Sequence, residues 1–209
     1  MMKVLGRATS GNVQKVLFGL EEAGIPYSRE DYGRQFNNTQ TAEYKSLNPT
    51  GKVPTLIDGD TVIWESNTIL RYLAATSAQP LTGATPAEKT EVERWMDWLL
   101  AAVNPLYLTM FKDSKKPVGE RVSDFDAQAA ELGSMLTLAD NHLAGRDFFA
   151  LGRLTLADIA LGPIVARCLA FPITLPDTPR LKAWMERIES RPAFQVATGS
   201  KPAPVASAA

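Results

Sequence analysis

Three short stretches of this sequence carry residue types whose spacing could do chemistry: Thr9-Ser10-Gly11-Asn12, Lys52-Val53-Pro54 and Glu65-Ser66-Asn67. Val53-Pro54 stands directly before a strand candidate, where proline is disfavoured because it cannot donate to the ladder. A cis peptide there would turn the chain and leave the Val53 N–H and C=O unpaired at the sheet edge, open to an extended, peptide-like ligand. The bland alternative is a plain edge proline. Glu65-Ser66 falls where a hairpin hands over to a helix. Ser66 can simply cap that helix, and the same helix N-terminus can also bind a ligand carboxylate while Glu65 accepts from a ligand ammonium. Thr9 to Asn12 reads as a capping turn, and a hydroxyl at a helix N-terminus is also placed to stabilise a thiolate.

The elements that must position these residues follow from periodicity. Lys3–Gly6 is a strand candidate. Val13, Val16, Leu17 and Leu20 then recur at i, i+3, i+4 and i+7, giving an amphipathic helix that Gly24 and Pro26 stop. Tyr27–Tyr32 is a second strand candidate, and a short helix near Ala42–Ser46 is broken by Asn48-Pro49. Thr55–Asp58 and Thr61–Trp64 flank Gly59 as a hairpin, and Ile69, Leu70 and Leu73 continue into a helix reaching about Ala75. The order βαβ-α-ββα requires a sheet that mixes parallel and antiparallel pairs.

Residues 77–84 read as a linker, so residues 1–76 and 85–198 are expected to form two domains. Thr85-Pro86-Ala87-Glu88 opens a helix carrying Trp95, Trp98, Leu99, Ala102 and Leu106, which Pro105 should kink or end. A second long helix is expected from Val118 to Leu143, a third after Thr155-Leu156-Ala157-Asp158, and a shorter one after Thr178-Pro179. No strand is expected after residue 77, and residues 199–209 read as a disordered tail.

Bulk composition narrows the classes. A net charge of −1 gives no electrostatic footprint for nucleic acid or an anionic membrane, and no apolar run or leader signals membrane insertion or export. Cys168 and His142 are the single cysteine and histidine, which excludes an internal disulfide, a CxxC pair and a multi-histidine metal site. Cys168 is expected in the core, and His142 as a solvated or capping residue near a helix end. The bulk reading is a soluble cytosolic protein that needs no metal.

The stretches Ser10–Val16, Asn48-Pro49-Thr50-Gly51-Lys52-Val53-Pro54, Trp64-Glu65-Ser66-Asn67-Thr68-Ile69 and Leu154-Thr155-Leu156-Ala157-Asp158 fall in the order and spacing of one family. Over nearly its whole length the chain resembles the cytosolic glutathione transferases, most closely the serine-type and bacterial theta-, beta- and nu-like groups. The resemblance implies an α/β thioredoxin-like N-terminal domain, an all-helical C-terminal domain and a homodimer. It implies that Val53 pairs its backbone with the cysteinyl part of glutathione beside a cis Pro54, that Glu65 and Ser66 hold the γ-glutamyl group, and that Lys52 approaches the glycine carboxylate. Ser10 aligns with the catalytic hydroxyl and Asn12 with an assisting asparagine, with Thr9 as a neighbouring competitor. Tyr107, Met110 and Phe111 are the candidates for a hydrophobic electrophile. The activity implied is attack of glutathione thiolate on that electrophile; the alternatives are nu-like disulfide or peroxide reduction and a non-catalytic binding protein. Two departures stand out: Asn12 replaces a proline common in serine-type members, and Thr39 stands where several relatives carry a glycine-binding histidine.

Overall fold

The computed structural model describes residues 1–201. Its chain divides into two compact units, Met1–Leu81 with the stretch from Glu189 onward, and Thr82–Ile188. The first unit opens as the periodicity predicts, with β1 (Met2–Leu5), α1 (Gly11–Ala23), β2 (Tyr27–Glu30), α2 (Ala42–Leu47), β3 (Thr55–Asp58), β4 (Thr61–Trp64) and α3 (Ser66–Thr76). The strand order is β2-β1-β3-β4, with β1 parallel to β2 and the two other pairs antiparallel. This is the mixed sheet of a thioredoxin-like domain. Gly24 ends α1 in the left-handed conformation at φ 65°, which a residue lacking Cβ adopts without strain. Val4, Val13, Val16, Leu20, Leu56, Ile69, Leu70 and Leu73 have no exposed surface and form the core between sheet and helices.

The second unit is helical: α4 (Pro86–Trp98), α5 (Asn104–Asp113), α6 (Phe125–His142), α7 (Leu156–Leu169) and α8 (Pro179–Glu189). The expected capping box at α4 is present, with Thr85 accepting from the Glu88 N–H and Glu88 returning to the Thr85 N–H. The α-helix is interrupted next to Pro105, as expected. A π-helical stretch, Leu99–Val103, absorbs the missing donor, and the proline sits in the first turn of α5. The long helix expected from Val118 begins only at Phe125, because Val118–Glu120 is a 3₁₀ turn and Asp124 takes the N-cap position.

One further helix, α9 (Pro192–Thr198), belongs to the first unit, so the expected single domain over 85–198 does not match the compact units. Arg191 grips Glu22 with two hydrogen bonds, and the Phe18 and Phe194 rings meet edge-on at 5.4 Å. These contacts seat α9 on α1, and no periodicity within residues 192–198 could have announced them. Of the expected tail, residues 202–209 lie outside the described residues.

Asp158 anchors the second unit. Its carboxylate is fully buried and accepts from the Phe149 and Thr155 N–H groups, the Thr155 hydroxyl and the Trp184 indole N–H, at 3.0–3.2 Å. Replacing it with alanine orphans four buried donors, each worth about 1–3 kcal/mol when unsatisfied and not fully additive. Urea unfolding of Asp158→Ala should therefore show a loss of about 3 kcal/mol or more. Asp158→Asn, which keeps one acceptor oxygen, should fall between that variant and wild type.

Candidate active site

The loop between α2 and β3 is held from beneath by side chains. Asn48 donates to the Lys52 carbonyl at 2.9 Å and to Thr55 Oγ1 at 3.0 Å, while its own carbonyl accepts from the Thr50 N–H and hydroxyl. The Tyr44 hydroxyl donates to the same Lys52 carbonyl at 2.6 Å. Gly51 takes φ 62°, a conformation that L side chains rarely adopt, so glycine is favoured there by conformation. The Val53-Pro54 peptide is cis. The Val53 N–H and C=O make no hydrogen bond among the described residues. Their freedom has a different origin from the one expected. β3 is an inner strand, and Val53 lies beyond the end of a ladder whose last pairs are Leu5 with Thr55 and Thr55 with Trp64.

The junction of β4 and α3 carries an unusual backbone. Glu65 occupies the N-cap at φ 68°, ψ 116° and makes no side-chain cap. A non-glycine residue held there costs on the order of 1–3 kcal/mol and is characteristic of ligand sites. Ser66 is the first helical residue and not the cap. Its hydroxyl accepts from Lys15 Nζ at 3.0 Å and donates to Asn12 Oδ1 at 3.4 Å, and its backbone N–H has no acceptor among the described residues.

Lys15, which no motif in the sequence singled out, stands directly behind Ser66. It is 0 % exposed, and burial lowers its pKa to about 7, against the raising field of Glu65 and with a smaller lowering effect from Arg71. The apolar stripe of α1 gave no warning, because α3 and α9 both pack on the helix and its polar positions Gln14 and Lys15 are buried as well. The available signal was composition: from Val13 to Leu20 only Gln14 and Lys15 are polar.

Asn12, Asn48, Thr50, Lys52, Val53, Pro54, Glu65 and Ser66 line one cleft of about 50 Å³, which suits one charged end of a ligand. Sequence-distant candidates are thus brought together. Ser10 and Thr9 are not in that lining. Ser10 is the N-cap of α1 and only 8 % exposed, yet its side chain does not cap, and its hydroxyl makes no hydrogen bond among the described residues. Thr9 is exposed. Asn12 was expected to assist Ser10, but its side-chain oxygen is directed to Ser66. Lys52 is exposed, and Thr39 is buried.

The remaining candidates lie in the second unit. Tyr107 is nearly buried, with its ring 5.9 Å from those of Phe111 and Phe171, and Phe111 is half-buried. Met110 has no exposed surface and belongs to the packing, so it offers a ligand nothing to touch. Cys168 is core as expected, with its thiol pushed up to about 12 by burial, which leaves it inert. His142 is the last residue of α6, as expected near a helix end, and is only partly covered. It bonds the Phe149 carbonyl at 2.8 Å and packs against the Trp95 and Phe149 rings. Among the described residues no cluster of His, Cys, Asp or Glu could hold a metal, and no helix is long and apolar enough to cross a membrane.

Family models for the glutathione S-transferase N-terminal domain and C-terminal domain match residues 9–76 and 96–192. The chain belongs to the glutathione S-transferase family. It is 34% identical over 200 residues to glutathione S-transferase GstB of Escherichia coli, an alignment covering 93% of this chain and 96% of the relative. The theta class glutathione S-transferase of Xanthomonas axonopodis pv. citri, solved with glutathione bound, superimposes with a TM-score of 0.89 at 38% identity, covering 94% of this chain and 96% of that one. A glutathione transferase family member from Pseudomonas fluorescens, solved with two glutathione bound, gives 0.87 at 25% identity, covering 94% and 92%. By this membership the protein is a glutathione transferase.

Asn48 ties the loop that carries Val53. Asn48→Ala leaves the Lys52 carbonyl with one donor and Thr55 with one fewer, so chemical denaturation should show a loss of about 1–2 kcal/mol. Hydrogen exchange should accelerate at Gly51, Lys52 and Val53 before it does in the strands.

Proposed function

We propose that this enzyme binds glutathione along Val53 and the N-terminus of α3 and activates its thiol through Ser10 for attack on a hydrophobic electrophile. The observation that carries the reading is a set of unspent donors: the Val53 N–H, the Ser66 N–H and the Ser10 hydroxyl have no protein acceptor among the described residues. The cysteinyl backbone of the tripeptide pairs with Val53 as an added strand. Its γ-glutamyl carboxylate lies against Ser66 at the positive end of α3, and the neighbouring ammonium meets Glu65. Asn12 belongs to this holding group through Ser66. The glycine carboxylate faces Lys52.

Ser10 stands apart from the cleft, at the N-terminus of α1, where an anion is favoured. A cysteine-like thiol has a pKa near ~8.5, and lowering it by about two units takes ~2.7 kcal/mol. One charge-assisted hydrogen bond offers roughly 1.5–3 kcal/mol, and a helix N-terminus adds about 0.3–1 kcal/mol. One hydroxyl and one helix therefore suffice without a histidine base. The thiolate attacks the electrophilic carbon, the leaving group departs, and the product is the thioether. A homodimer is expected with this reading, and light scattering checks it.

Ultraviolet titration of the thiolate in the glutathione complex tests the assignment. Ser10→Ala should return the bound thiol toward ~8.5 and lower kcat/KM with an aryl halide by ten- to a hundredfold near neutral pH. An unchanged thiol pKa removes Ser10 from the role, and turnover of disulfides without turnover of aryl halides replaces the transferase with a reductase. Lys52 is exposed, so an ion pair there is worth only about 0.2–1 kcal/mol. Lys52→Ala should weaken glutathione by no more than about fivefold, with the difference fading as salt is raised.

A further inference from the structure

We propose that Lys15 is a positioning residue for glutathione, and that seating the γ-glutamyl carboxylate on Ser66 draws a proton from solvent onto the Lys15 amine. The inference rests on the glutathione reading and adds the residue behind the site together with a pH dependence of binding.

The geometry is a line of three side chains from two elements. Lys15 Nζ donates to Ser66 Oγ at 3.0 Å, and Ser66 Oγ donates to Asn12 Oδ1 at 3.4 Å. Lys15 is completely buried, while Ser66 and Asn12 line the cleft. A protonated amine has no lone pair and can only donate. Charged Lys15 therefore fixes Ser66 as acceptor on one side and keeps its hydroxyl proton on the cleft side, on the long bond to Asn12 Oδ1 from which an arriving carboxylate can take it. A neutral amine can accept that proton instead, turning the hydroxyl away from a ligand. Protonation of Lys15 thus sets which way the serine points.

The charges around Lys15 allow the switch. Glu65, at the β4–α3 junction, favours the ammonium, Arg71 of α3 disfavours it, and burial outweighs both, leaving the pKa at about 7. On α9, which also packs against α1, Arg191 is paired with Glu22, two turns further along α1. A carboxylate arriving beyond Ser66 adds a negative charge on the Glu65 side of the balance and raises the proton affinity of the amine. Between the free and the bound pKa, binding takes up a proton and weakens as pH rises, by up to tenfold per pH unit.

Calorimetry of the full chain with S-methylglutathione, which has no thiol to ionise, tests this between pH 6.5 and 8. Titrations in buffers of differing ionisation enthalpy count the protons. Wild type should take up a fraction of a proton that grows above pH 7, with affinity falling over the same range. Lys15→Met should bind at least tenfold more weakly at pH 7 and take up no proton. An analogue with the γ-glutamyl α-carboxylate converted to its amide should abolish the uptake in wild type and cost Lys15→Met little further affinity; this arm needs only the wild-type protein if the variant does not fold. Binding of S-methylglutathione without proton uptake in wild type, or a Lys15→Met defect equal for acid and amide, overturns the inference while leaving glutathione binding intact. Failure of wild type to bind S-methylglutathione at all is a separate result and overturns the function reading with it.

Discussion

A lysine amine with no exposure to solvent, hydrogen-bonded to the first residue of a helix, is the constraint around which the first unit is arranged. An isolated buried ammonium is costly, and the fold offsets only part of that cost, through Ser66 and the field of Glu65. The arrangement requires α1 and the β4–α3 junction to meet closely, which the packing of α1 against α3 and the ladder of β3 with β4 enforce. The strained Glu65 backbone is part of the same construction, since it turns the chain so that Ser66 begins α3 directly over Lys15. A helix start built only for stability would carry a capping side chain and an apolar floor.

The proposed site divides holding from activating along lines set by local structure. The holding groups sit on parts that the protein fastens independently: the Asn48 and Tyr44 ties to the Lys52 carbonyl on one side, and the Lys15–Ser66–Asn12 line on the other. Ser10 is fastened by its backbone alone, with its N–H on the Arg7 carbonyl and its own carbonyl taken by the Gln14 N–H. Its hydroxyl is thus placed by the helix start but committed to nothing in the protein. Preorganisation of this kind favours charge that develops at one spot and wastes no donor elsewhere.

Much of the frame was legible in the sequence because its signals are local. The hairpin around Gly59, the Gly24 stop and the capping boxes at Thr85 and Thr155 each lie within a few residues of one another, and each appears where its pattern placed it. That Lys52, Val53, Pro54, Glu65 and Ser66 share one cleft was legible for the same reason, as short motifs at fixed distances. What escaped were properties of packing. Lys15 is buried where α3 and α9 pack on α1, α9 is tied to α1 by the Arg191–Glu22 pair and the Phe18–Phe194 contact, and Met110 is fully buried in the helical unit. Pro105 was recognised as a breaker, but the π-helical form of the interruption, Leu99–Val103, carries no sequence pattern of its own.

The account stands or falls on where glutathione places its two ends relative to Ser10 and Ser66. A crystal structure of the wild-type protein with glutathione bound at neutral pH measures this directly. The account predicts the sulfur within hydrogen-bonding distance of Ser10 Oγ, the cysteinyl backbone paired with Val53, and the γ-glutamyl carboxylate on the Ser66 hydroxyl and N–H with Lys15 behind it. A complex in which that carboxylate avoids Ser66, or in which the sulfur meets Thr9 or no hydroxyl at all, contradicts it.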